Sequence, residues 1–147
     1  MPEGYRVVHE LSDAHFEQVF AIYIQQWWTA GRSPQDVRAA FANSTALVAL
    51  VDEATDEAVA FARVVSDGYF QATVNDVICR PDLRGRGLGA MLMEALLAHP
   101  AIARIPRLDL TCLPEMDGFY ARFGFGLSPN GSHMLRRGPV FSPPAAG

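Results

Sequence analysis

The chain has 147 residues, half of them apolar and 19% charged, which suits one domain with a buried core and excludes disorder across its body. No apolar run approaches the ~20 residues of a membrane span, and the N-terminus lacks the basic-then-apolar order of a secretion signal, so a cytoplasmic protein with no membrane role is expected. A net charge of −4 argues against general nucleic-acid binding.

In chain order, Tyr5–Glu10 reads as a first strand. From Ser12 or Asp13, Phe16, Val19/Phe20, Tyr23 and Trp27 recur at helical spacing, and Gly31 is expected to end that helix. Ser33-Pro34-Gln35-Asp36 supplies an N-cap, a proline for the first helical position and a capping acid, opening a short second helix with Val37, Ala40 and Phe41 on one face. Thr45–Val51 is a continuous apolar run and reads as a buried strand; Ala58–Ser66 follows after a polar turn. Asp67-Gly68 signals a hairpin into a strand at Phe70–Cys79. Leu88, Met91/Leu92 and Ala95/Leu96 mark a helix that ends near His99-Pro100. Leu108–Cys112 reads as another strand, Met116–Phe123 as a short helix stopped by Gly124, and one or two short strands are expected in the remainder. The pattern predicts a single α+β domain over residues 1–141 and a frayed tail at 142–147.

Between the Phe70–Cys79 strand and the following helix stands Arg84-Gly85-Arg86-Gly87-Leu88-Gly89. A glycine-rich turn that opens a helix leaves backbone N–H groups unpaired at the positive end of the helix dipole, a setting for phosphate or pyrophosphate. Arg84 and Arg86 add charge-assisted donors. A nucleoside-triphosphate loop needs Lys-Ser/Thr after its last glycine, where this chain has Ala90-Met91. A dinucleotide fingerprint needs a different glycine spacing, early in a strand–helix–strand unit.

The spacing of Arg84, Gly87 and Gly89 resembles the Arg/Gln-x-x-Gly-x-Gly/Ala loop of the GNAT superfamily, the acetyl-CoA-dependent N-acyltransferases. Upstream, Asp76-Val77-Ile78-Cys79-Arg80-Pro81 resembles the family's strand ending in proline. Downstream, Phe119-Tyr120-Ala121-Arg122-Phe123-Gly124-Phe125 resembles its Tyr-x-x-x-Gly-Phe segment. The resemblance covers roughly residues 45 to 127. It implies a GNAT fold, with a central mixed, mostly antiparallel sheet flanked by about four helices. It also implies transfer of an acetyl group from acetyl-CoA to a primary amine, by direct attack in a ternary complex.

On that resemblance, Arg84, Gly85, Arg86, Gly87, Leu88, Gly89 and Ala90 grip the cofactor's pyrophosphate. The main chain of Val77, Ile78 and Cys79 pairs with its pantetheine arm, although the same residues would make an ordinary buried strand. Tyr120 is placed near the cofactor sulfur as general acid, since a phenol of pKa ~10 is protonated at neutral pH; without the resemblance a core tyrosine is the simpler reading. Asp76 is the one carboxylate on the strand before the grip. It is either the base for the incoming amine or a partner of an arginine such as Arg63 or Arg80. Trp27 and Trp28 border the superfamily's acceptor region, as an aromatic wall or as core.

No metal is expected: His9, His15, His99 and His133 are scattered, and Cys79 and Cys112 stand in no ligand spacing and read as reduced thiols. All twelve basic residues are arginine, which excludes lysine autoacetylation. The expected partner is a small-molecule amine, for which the acidic balance favours a cation. Superfamily members are often dimers, so a homodimer is an expectation the resemblance carries. The alternative reading is a non-catalytic acyl-CoA-binding module.

Overall fold

Two serines start the helices of one face. Ser12 Oγ accepts from the His15 N–H at 3.1 Å and opens α1, Asp13–Tyr23. Ser33 Oγ accepts from the Asp36 N–H at 3.1 Å, with Pro34 first in α2, Pro34–Ala42. The computed structural model describes residues 2–144; positions 145–147 of the expected frayed tail lie outside the described residues.

The first helix is shorter than its periodicity predicts. It stops at Tyr23 rather than running to Gly31, because side chains take its last carbonyls. Thr29 Oγ1 donates to the Tyr23 and Gln26 carbonyls, and Gln26 Nε2 donates to Ile22 O at 3.0 Å. The chain continues in turns to Gly31, at φ +83°, so Trp27 and Trp28 stand on a turn and not on a helix.

The strands are β1 (Tyr5–Val8), β2 (Ala46–Asp52), β3 (Glu57–Ser66), β4 (Gln71–Cys79) and β5 (Arg107–Asp109), ordered β1-β2-β3-β4-β5. The first three pairings are antiparallel and β4–β5 is parallel, so the sheet is mixed and mostly antiparallel, within an α+β domain. The β3–β4 connection is four residues, longer than Asp67-Gly68 alone suggests, because Asp67 Oδ1 gathers the N–H groups of Tyr69, Phe70 and Gln71.

Both sheet faces are covered, which is why β2 is apolar without alternation. Ala49 and Val51 join Phe16, Tyr23, Phe41 and Phe61 under α1 and α2. Val48 and Leu50 join Ala62, Val64, Leu92 and Leu96 under α3 (Leu88–Ala98), a cluster that also holds Tyr120 of α4 (Asp117–Ala121). A 3₁₀ turn at Pro114–Met116 precedes α4.

Strand β4 carries a bulge. Phe61 pairs with Ile78 and Arg63 with Asn75, so three steps on β4 answer two on β3, and Asp76 takes φ +54°. The extra residue inverts the alternation. Ala72 and Val74 face the α3 side before it; Val77 and Cys79 face that side after it, and Ile78 turns to α1 and α2. A bulged strand bends, and β5 follows only the part before the bend: Gln71–Thr73 pairs with Arg107–Asp109. Strand β5 thus ends at Asp109, not Cys112.

The one or two strands expected after α4 are not present among the described residues. Pro129, Pro139, Pro143 and Pro144 lack the N–H a ladder requires. Among the described residues no helix is long and apolar enough to cross a membrane.

Candidate active site

The glycine loop lies between β4 and α3. A 3₁₀ turn at Pro81–Leu83 leads into it, and Gly85 and Gly87 then adopt φ +80° and +82°. L-residues with a Cβ disfavour that conformation, which is the local reason for glycine at both positions. The first amide of α3 with a main-chain acceptor is Met91 N–H, to Gly87 O at 3.1 Å. The six preceding amides, Gly85 to Ala90, donate to no main-chain carbonyl among the described residues. Arg84 and Arg86 are exposed on the same turn with no carboxylate at salt-bridge distance among the described residues, whereas Arg80 is taken by Asp82 and Glu57. Gly89 serves packing instead. A Cβ there would lie 3.2 Å from Phe119 Cζ, so its absence lets α3 approach α4.

Beyond Thr73, β4 has no paired strand on its β5 side among the described residues, so that edge is open along Val74–Cys79. Val77 and Cys79 pack partly buried on the α3 face of the sheet. Tyr120 stands on the same side, 9% exposed, with its ring edge-on to Phe119 and Phe125 at 5.0 and 6.2 Å between centroids. Burial pushes its hydroxyl up to about 12, and the nearby Cys112 thiol, on the continuation of β5, adds to the shift. The phenol is therefore protonated throughout the neutral range. Cys112 Sγ reaches Asp117 Oδ1 at 3.6 Å; burial first, then Asp117, raises its pKa, and burial raises that of Cys79. Both are thiols rather than thiolates at neutral pH.

On the opposite face of the sheet the bulge presents Asp76. Its Oδ2 meets Arg63 Nε at 2.5 Å, with the two side chains 4% and 13% exposed, and its Oδ1 accepts from Trp28 Nε1 at 3.0 Å. Of the two readings open in the sequence, the arginine partner is found, and it is Arg63 rather than Arg80. Each carboxylate oxygen thus holds one structural donor, which fixes the orientation of Asp76 at the bulge. Trp28 packs against the core under α1 and α2 while its indole N–H holds the bulge, and Trp27 meets it edge-on at 5.4 Å. Arg32 Nη1 donates to Tyr23 Oη, and Tyr23 is fully buried. Burial raises the Tyr23 pKa and the Asp76 carboxylate raises it further. No local pattern in the sequence joins Tyr23 to Arg32; the turn that brings them together is set by Thr29.

The remaining polar candidates are structural. His15 Nε2 lies 3.1 Å from Asp56 O, and the His9 and His99 rings meet at a 46° tilt with centroids 4.4 Å apart. Among the described residues no three His, Cys, Asp or Glu side chains converge as metal ligands.

The model of the acetyltransferase (GNAT) family matches residues 10–125, and the chain belongs to that family. A solved structure from Xanthomonas campestris pv. campestris, assigned to the GNAT family, is 30% identical with a TM-score of 0.80, covering 95% of this chain and 96% of its own. A GNAT family protein from Streptococcus pneumoniae, at 22% identity and a TM-score of 0.73 over 92% of this chain and 98% of its own, shows the shared fold. Among curated relatives, serotonin N-acetyltransferase 2, chloroplastic, of Oryza sativa subsp. japonica is 37% identical over 102 residues, 67% of this chain and 50% of the relative. The uncharacterized N-acetyltransferase ycf52 of Pyropia yezoensis is 34% identical over 102 residues, 68% of this chain and 59% of the relative. The chain thus spans between 50% and 59% of the length of these two relatives.

Proposed function

We infer that this protein is an N-acetyltransferase that moves the acetyl group of acetyl-CoA to a primary amine. The observation that carries the reading is the row of six unpaired amides from Gly85 to Ala90, at a turn with two positive-φ glycines. Such a row suits a pyrophosphate, and Arg84 and Arg86 suit its charge. The edge of β4 left open on its β5 side at Val77, Ile78 and Cys79 offers main-chain groups to an extended amide-bearing arm, as to an added strand. Acetyl-CoA fits these residues, and it supplies a thioester whose carbonyl the amine attacks, the C–N bond forming as the C–S bond breaks.

Tyr120 keeps its proton at neutral pH and delivers it from Oη to the departing sulfur. A β4 main-chain N–H polarises the carbonyl. Asp76 acts as a positioning residue: bound to Arg63 and Trp28, it fixes the bulge and the tryptophan turn on the acceptor side, and the amine's proton passes to water. Two free thiols fit a reducing aqueous compartment, cytoplasm or, as the rice relative's name suggests, plastid.

Isothermal titration with acetyl-CoA beside ATP, followed by thiol release with a panel of amines, tests this. Micromolar binding of acetyl-CoA but not ATP, with amine-dependent thiol release, supports it. Binding without release for any amine would leave an acyl-CoA-binding module, and no binding would make the loop a plain helix start.

A further inference from the structure

Arg32 is the arginine that the acceptor side leaves uncompensated. Arg63, which like Arg32 acts on the Tyr23 hydroxyl, is neutralised by Asp76. Arg32 is exposed, and among the described residues no carboxylate lies within salt-bridge distance of it. It is nonetheless held in place. Its Nη1 donates to the hydroxyl of fully buried Tyr23, its Cζ sits 5.8 Å from that ring's centroid, and its own N–H closes a turn onto Thr29 O at 3.3 Å. Tyr23 takes one of five guanidinium donors. The rest form a fork whose natural complement is a carboxylate.

Position and charge both fit a substrate. The turn that carries Arg32 also carries Trp27 and Trp28, and Trp28 is bonded to the bulge residue next to Val77. The charged groups that act on the Tyr23 hydroxyl are Asp76, Arg32 and Arg63, an excess of one positive charge in a chain whose net charge is −4. The overall acidity therefore misleads about this face. A diamine or polyamine would meet an unpaired cation there.

We propose that the acceptor is an amine that also carries a carboxylate, of the amino-acid class, and that the Arg32 guanidinium binds that carboxylate. The proposal rests on the acetyl-transfer reading for its reaction, but not for its binding site.

Alanine, phenylalanine, methionine, glutamate and ornithine are each compared with their methyl esters by acetyl-CoA-dependent thiol release. An ester amine is less basic and so more often neutral, which means that a preference for the free acid cannot come from amine ionisation. We expect at least one acid to exceed its ester tenfold in kcat/KM, and Arg32→Gln to cut that ratio at least tenfold, with Arg32→Lys between. Esters matching or exceeding their acids throughout, or an acid preference that Arg32→Gln leaves intact, overturns the proposal. Should no amine release thiol, the acetyl-transfer reading fails while the site remains testable: the same compounds are titrated against the fluorescence of Trp27 and Trp28. Saturable quenching by an acid, weaker for its ester and weakened tenfold by Arg32→Gln, supports the proposal, and any other pattern overturns it.

Discussion

Trp28 and Asp76, 48 residues apart in sequence, are joined by an Nε1–H···Oδ1 bond of 3.0 Å. That bond ties the turn after α1 to the bulge of β4, and the Arg63 ion pair on the other carboxylate oxygen ties the bulge to β3.

Asp76→Asn isolates the charge from the backbone, because asparagine tolerates the φ of +54° and can still accept from Trp28. It leaves Arg63 as a buried, unpaired cation, so a loss of about 3 kcal/mol in unfolding free energy is expected. Urea denaturation measures it. A loss below about 1 kcal/mol, in the range of exposed pairs, would show that water screens the contact.

Tyr120→Phe should lower kcat by roughly 10²-fold and leave acetyl-CoA affinity nearly unchanged. In the parent enzyme the kcat–pH profile should show no tyrosine limb near pH 10, since the folded phenol ionises only at about 12. Rates that match the parent, or a fall centred near pH 10, would remove Tyr120 from proton delivery.

The same raised value makes stability depend on pH. An unfolded phenol loses its proton near 10, whereas folded Tyr120 keeps it to about 12. The native state therefore holds more protons between these values. The Tyr120 contribution is intact below pH 10 and is lost as pH rises toward 12, with Tyr23 shifted in the same direction. The raised Cys79 and Cys112 thiols begin a decline of their own from about pH 9. Urea midpoints from pH 8 to 11.5 should show the decline, and Tyr120→Phe should make it shallower above pH 10.

Gly87→Ala forces a side chain to adopt φ +82°, where the added Cβ meets Pro2 Cγ only at an ordinary 3.5 Å. The strain of about 1 kcal/mol is borne by the loop, and acetyl-CoA affinity should fall at least tenfold by titration. Gly89→Ala instead presses on Phe119 at 3.2 Å. It should lower the melting temperature more than it lowers affinity; the opposite ranking would place the pyrophosphate nearer Gly89.

What was legible in the sequence was legible for local reasons. Ser33-Pro34-Gln35-Asp36 encodes its helix start in four residues, and the glycine loop encodes its dihedral angles in residue type. The end of α1 was not legible, because Thr29 and Gln26 compete for carbonyls that periodicity assigns to further helix. Nor was the bulge: only pairing with β3 reveals an extra residue, and the tolerance of Asp76 for a left-handed backbone is its sole local trace. The length of β5 depends on that bend, and the Tyr23–Arg32 contact depends on the Thr29 turn. Both lie outside what spacing can encode.

The inverted alternation along β4 makes the sheet a partition whose two faces both reach the bulge. The glycine loop and Tyr120 stand in one room, and the tryptophan turn and Arg32 in the other. If acetyl-CoA and the amine bind on opposite faces, as proposed, neither blocks the other's entry. On the proposed chemistry, initial-rate kinetics should therefore show random rather than compulsory order of addition.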